Sequence, residues 1–156
     1  MTPPPRLTVR VQTGDFDLAA ETAALTAGTA DAGAVVTFTG LVRDRAGETP
    51  ITTMELEHWP GATERALTRL AEEAAARWPL QAVTVIHRVG LLAPGDRIVL
   101  VATASAHRAA AFEAAEFLMD WLKTRAPFWK KETTPDGARW VDARETDEAA
   151  AARWAP

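Results

Sequence analysis

The stretch from Arg97 to Lys131, RIVLVATASAHRAAAFEAAEFLMDWLKTRAPFWKK, constrains this chain more than any other. Its first part is rich in Val and Ile and reads as a strand. A turn carrying His107 and Arg108 follows, then one helix. Phe112, Ala115, Met119 and Leu122 recur at helical spacing and predict one apolar face. Pro127 lacks an N–H and disfavours the α region in the residue before it, so the helix stops there. Cations gather at that stop, at Lys123, Arg125, Lys130 and Lys131, and Arg108 sits at the other end. In a chain of net charge −4, cations concentrated at both ends of one helix point to an anionic ligand.

The 156 residues fit one domain with a real core, with 1–6 and about 145–156 expected to be flexible. The net negative charge argues against a general nucleic-acid binder, which presents a basic face. There is no cysteine, so no disulfide scaffold, zinc ribbon or thiol nucleophile can form, and the chain cannot carry sulfur as its own persulfide. The first residues, MTPPP, lack the basic start and apolar run of a signal peptide, and no apolar stretch approaches the ~20 residues of a membrane helix. The expected location is the cytoplasm.

Residues 7–13 alternate Leu7, Val9 and Val11 with polar residues and predict a half-buried strand. Asp17 is a good N-cap for a helix over Leu18–Ala27. Ala34–Asp44 is strand-like, and Gly40 within it suggests a bulge or a close backbone approach. The polar loop Asp44–Pro50 is expected to be mobile. Thr52–Trp59 predicts a strand with Met54, Leu56 and His58 on one face. An amphipathic helix follows over Thr63–Trp78, then a strand over Ala82–Val89. Ala93-Pro94-Gly95-Asp96 suits a type II turn leading into the Arg97 strand. Pro135-Asp136-Gly137 marks a tight turn between two last strands, and 145–154 is a short helix or a frayed tail. This order lacks strict βαβ repetition. It predicts an α+β fold, with helices packed on one face of a mainly antiparallel sheet.

Ser105 can cap the helix and leave N–H groups from about His107 onward for an anion, with Arg108 beside them. Equally, Ser105 can be a plain cap and Arg108 a solvated residue. A first-turn cation opposes the helix dipole, which favours the anion site. Lys123 lies in the last turn, where a cation is welcome for dipole reasons alone. Crowded by Arg125, Lys130 and Lys131, it is also a candidate acid, base or amine nucleophile. In TRAPFWKK, Pro127 enforces an extended path, and Phe128 and Trp129 can anchor it so that Lys130 is held on one side. Arg43 leaves the end of a strand, where functional residues collect. The three histidines, in HWP, HRV and AHR, show no metal-ligand spacing, and no nucleotide-binding or serine-hydrolase motif occurs. The residues by themselves indicate an α+β domain that binds a small phosphorylated or carboxylated molecule through Arg43, His107, Arg108, Lys123 and Lys130, with no metal.

The chain resembles the catalytic (large) subunit family of molybdopterin synthase. The resemblance is carried by GAVVTFTGLVRD (33–44), LEHWPGATERAL (56–67), RWPLQAVTVIHRVGLLAPGDRIVLVATASAHRAAAFEA (77–114) and FLMDWLKTRAPFWKKETTPDGARWVDAR (117–144). It implies an α/β hammerhead type of fold and conversion of cyclic pyranopterin monophosphate (precursor Z) to molybdopterin. The two sulfurs would come from the C-terminal Gly-Gly thiocarboxylate of a small ubiquitin-like subunit. It further implies a homodimer of large subunits within a heterotetramer, and no cofactor.

Carried over by position, Lys123 and Lys130 match the family's catalytic lysines. Leu41, Val42 and Arg43 of GLVRD, with His107 and Arg108 of SAHR, match substrate-binding positions. Lys131 and Glu132 adjoin them, and Arg144 of VDAR matches an arginine that reaches the pocket from the other large subunit. The two ends of the helix are thereby expected to serve one pocket. An alternative of a different class is a non-catalytic anion- or RNA-binding α+β module using the same cations.

Overall fold

The computed structural model describes residues 3–141 and 145–155. In chain order the elements are β1 (Arg6–Gln12), α1 (Leu18–Leu25), β2 (Ala34–Leu41), β3 (Arg45–Ala46), β4 (Thr49–Pro50), β5 (Thr53–His58) and α2 (Ala62–Arg77). There follow β6 (Leu80–Arg88), β7 (Gly90–Leu92), β8 (Arg97–Ser105), α3 (Arg108–Arg125), β9 (Phe128–Thr134), β10 (Gly137–Val141) and α4 (Glu145–Ala152).

One sheet runs β1-β6-β8-β2, with β1 parallel to β6 and the other pairs antiparallel. Its central strands are apolar on both faces, as strands covered on both sides must be. On one face, Val83, Val85, Val99 and Val101 pack against Leu67 and Leu70 of α2 and Phe117 and Leu118 of α3. On the other, Ala82, Ile86, Leu100, Ala102 and Ala104 meet Phe16 and Leu25, which α1 brings with it. Helices therefore cover both faces rather than one. The cause is the buried phase at Ala82, Ile86 and Leu100, which needs a cover of its own. Each fully buried Leu, Val or Phe contributes about 1.5–3 kcal/mol.

The second sheet runs β10-β9-β5-β7, all antiparallel, and has its own apolar patch at Val42, Met54, Leu56, Val89 and Leu92. The chain crosses between the sheets at Val89, so β7 leaves β6 for β5 before β8 returns to pair with β6. No element is expected there from sequence, because three residues carry no period.

Other differences have local causes. The loop expected to be mobile at 44–50 is a small hairpin, β3 against β4, turned at Gly47 with φ 63°. The expected flexible tail forms α4 from Glu145. It is held by the Trp121 indole donating to the Ala151 carbonyl at 3.1 Å and by the Arg77 guanidinium donating to the Trp154 carbonyl. Phe112 is 60% exposed, although Ala115 and Leu122 of its expected face are buried. The buried stripe of α3 runs through Ala111, Ala114, Phe117, Leu118 and Trp121, and Phe112 lies off it. Gly40 shows both features its position suggested. The β2–β8 register shifts between Gly40 and Leu41, and a Cβ on Gly40 would lie 2.8 Å from Val99 Cγ1.

Candidate active site

A cavity of about 570 Å³ opens between the two sheets under the C-terminal half of α3. Met119, Leu122 and Lys123 come from α3, and Phe128, Lys130 and Glu132 from β9. Met54 and Leu56 of β5, Leu41 and Arg43 at the end of β2, His87 of β6 and Asp147 of α4 complete most of the wall. Apolar side chains line it together with a few charged and polar ones, the composition expected of a small-molecule site.

The turn between α3 and β9 brings the lysines together. α3 ends at Arg125, and Ala126 is already extended, with ψ 133°. The Phe128 N–H donates to the Ala126 carbonyl at 2.9 Å, closing a three-residue turn centred on Pro127. The Pro127 carbonyl in turn accepts from the Thr63 hydroxyl of α2 at 2.9 Å. Strand alternation then sends Phe128, Lys130 and Glu132 toward the cavity and Trp129 and Lys131 away from it. Trp129 is accordingly exposed and does not anchor the core, whereas Phe128 stacks on the His87 ring at 3.8 Å between centroids. Lys123 is exposed at the rim and Lys130 is half-buried.

The remaining candidates divide. Leu41 and Arg43 line the cavity. Val42, between them, is buried in the second apolar patch, its N–H donating to the Asp96 carbonyl at 2.9 Å. Lys131 lies on the opposite face of its sheet, 5.5 Å over the Trp140 ring. Glu132 is a buried carboxylate beside Arg139, 3.8 Å away. Arg125 stacks on Trp121 at 3.9 Å. Arg144 lies outside the described residues.

His107 and Arg108 are exposed at the N-terminus of α3, absent from the wall of this cavity. Arg108 stands about 22 Å along the helix from Lys123, so one chain does not join the two ends of α3 in one pocket. The cap is His107, extended at φ −132° and ψ 145°, with no side-chain capping bond. Ser105 is the buried last residue of β8; its hydroxyl donates to the Pro79 carbonyl at 2.8 Å and accepts the His107 N–H at a long 3.5 Å. The helix cap thus falls two residues later, at His107, than a Ser105 cap would place it. A Cβ on Gly33 would come within 2.1 Å of the Ala106 carbonyl, so close packing against β2 sets the path of this turn.

Two wall residues escaped the sequence reading. His87 falls in phase with Val83 and Val85, a signal that it points inward. It is 5% exposed, and its Nδ1 sits 2.7 Å from the Arg88 carbonyl. Burial, then the nearby charges of Lys123 and His58, hold its pKa down at about 4 despite that bond, so the ring is neutral at physiological pH. Asp147 gave no signal, because only the docking of α4 brings it to the wall. Among the described residues no cluster suited to a metal ion occurs, and no helix is long and apolar enough to cross a membrane.

Residues 11–125 match the family model described as MoaE protein. A "Molybdopterin synthase catalytic subunit" from Mesorhizobium japonicum is 62% identical over 149 residues, covering 94% of this chain and 92% of that one. The structure of a molybdopterin biosynthesis MoaE protein from Burkholderia ambifaria superposes with a TM-score of 0.82 at 58% identity, covering 95% of this chain and 97% of that chain. A protein–protein complex of subunits 1 and 2 of molybdopterin-converting factor from Helicobacter pylori shares the fold, with a TM-score of 0.69 at 18% identity, covering 87% of this chain and 91% of that chain. With an α+β fold of two mostly antiparallel sheets and a family match spanning most of its length, the chain belongs to the MoaE family.

Proposed function

We propose that this chain is the catalytic subunit of a molybdopterin synthase. In this reading it converts cyclic pyranopterin monophosphate to molybdopterin with two sulfurs delivered by the C-terminal thiocarboxylate of a small subunit. The observation that carries this reading is the convergence of Lys123 and Lys130, from α3 and β9, on one cavity of about 570 Å³ with Arg43 at its rim. That volume suits a pterin. The cations suit a phosphate and an incoming carboxylate-like tail. The chain has no cysteine, which fits sulfur arriving on a second protein.

Lys123 would exchange a proton with, or transiently capture, the pterin side chain as each thiocarboxylate sulfur attacks it. Lys130, held by β9, would stabilise the negative charge that develops and orient the tail. Arg43 would hold phosphate at the rim. Because α3 separates His107 and Arg108 from the cavity of their own chain, their service to substrate requires a second copy of the chain. A homodimer of large subunits would bring them to the neighbouring cavity, with Arg144 as a further contribution. The name "catalytic subunit" of a relative 62% identical supports a second subunit for this chain too.

The test is reconstitution with a thiocarboxylated small subunit and precursor Z, reading out dithiolene product. Product that depends on both components is expected. No product from a folded, assembled complex would overturn the reading.

A further inference from the structure

His87 is a buried titratable group that the proposed chemistry leaves unused. Its ring is fixed twice, by stacking on Phe128 with planes 20° apart and by Nδ1 at 2.7 Å from the Arg88 carbonyl. A carbonyl can only accept, so Nδ1 carries the ring proton and Nε2 keeps its lone pair. Nε2 has no hydrogen-bond partner among the described residues, yet it is not a sealed atom. The one fully buried side-chain N or O atom without a partner among those residues is Gln81 Oε1. The ring lines the cavity, and Nε2 is its acceptor left without a partner there. Phe128, Leu56 and Leu122 line the same cavity, and the Lys123 ammonium, which acts on the ring, is a donor. An acceptor without a partner, set beside apolar side chains, leaves a specific vacancy for a donor.

We infer that His87 is a substrate-contacting residue whose Nε2 accepts a hydrogen bond from a ring N–H of the bound pterin, selecting its orientation on the cavity floor. This rests on the proposed reading of the cavity as the pterin site. A purely structural histidine would need only the Arg88 carbonyl and the Phe128 stack.

Three substitutions separate these roles. His87→Gln places an amide near Nε2, His87→Asn keeps only a donor near Nδ1, and His87→Phe keeps only the stacking ring. Equilibrium binding of precursor Z and steady-state turnover would be measured on the reconstituted complex, with thermal unfolding confirming that each variant folds. We expect Asn and Phe to weaken precursor Z binding and raise its KM by about tenfold, the size of one neutral hydrogen bond. We expect kcat to change less and Gln to stay within about threefold of wild type. Wild-type binding from His87→Phe or His87→Asn would overturn the inference, as would a His87→Gln defect equal to that of Phe. Wild-type protein that binds precursor Z without forming product would overturn the proposed reaction while leaving the His87 contact to be read from the binding series. Wild-type protein that does not bind precursor Z would overturn both.

Discussion

The Thr63 hydroxyl donates to the Pro127 carbonyl at 2.9 Å, joining the first turn of α2 to the bend that separates Lys123 from Lys130. The same oxygen accepts the Trp59 N–H at 3.0 Å, and Thr63 is fully buried. One hydroxyl thus ties the turn that enters α2 to the distant bend at Pro127. Thr63→Val keeps the shape and removes both bonds. It leaves the partly buried Pro127 carbonyl and Trp59 N–H without this partner, at a cost of about 1 kcal/mol each. Denaturant unfolding should show that loss, and turnover should fall by more than the unfolded fraction explains, because Lys130 loses its fixed direction.

Lys123→Ala should lower dithiolene formation by at least ~100-fold, the range in which a group acting on a reacting atom contributes. Lys123 is exposed and makes no core contact, so folding and capture of the small subunit should be unchanged in co-purification. Near-normal turnover would remove Lys123 from the chemistry.

Arg108 and Lys123 lie at opposite ends of α3, so their cooperation has a distinctive genetic signature. Arg108→Ala and Lys123→Ala chains should each be nearly inactive alone. When co-expressed, mixed dimers should regain one intact site, restoring about a quarter of wild-type activity for random pairing of a C2 dimer. No recovery above the single variants would place Arg108 outside the neighbouring cavity.

Gly33 donates its N–H to the Ser105 carbonyl at 2.9 Å and leaves no room for a side chain, with a Cβ position 2.1 Å from the Ala106 carbonyl oxygen. Gly33→Ala must push backbone rather than a flexible side chain. The expected cost is about 1–3 kcal/mol, visible as a fall of several degrees in Tm. Arg108 should also serve substrate less well, giving a raised KM for precursor Z.

The buried His87 makes stability depend on pH in a defined window. Its pKa falls from 6.5 to about 4 on folding. Between these values the unfolded chain binds a proton that the folded chain does not, so stability rises with pH and falls on acidification by up to about 3 kcal/mol. Above the upper value this group contributes no slope. Asp15, which the Arg97 guanidinium holds at about 2, loses its stabilising bond only below the ordinary carboxylate range. Unfolding free energies measured across pH 4 to 6.5 should show the His87 slope, and His87→Phe should flatten it without altering the acid limb.

The alternation in β1 and β5, the apolar β8, the Pro127 stop and the Asp17 cap were all legible, because each depends on residues a few positions apart. So was the meeting of Lys123 and Lys130, since helix end, proline and strand period fix their relation locally. What local pattern could not reach was decided by packing. The apolar phase of β6 and β8 that meets α1 put a helix on the second face of the sheet. α4 docked because Trp121, Arg77 and Trp154 found partners across the chain, and so brought Asp147 to the cavity. His107 and Arg108 looked like one site with Lys123 because charge was counted along the sequence. A straight helix of 18 residues converts that proximity in sequence into distance in space.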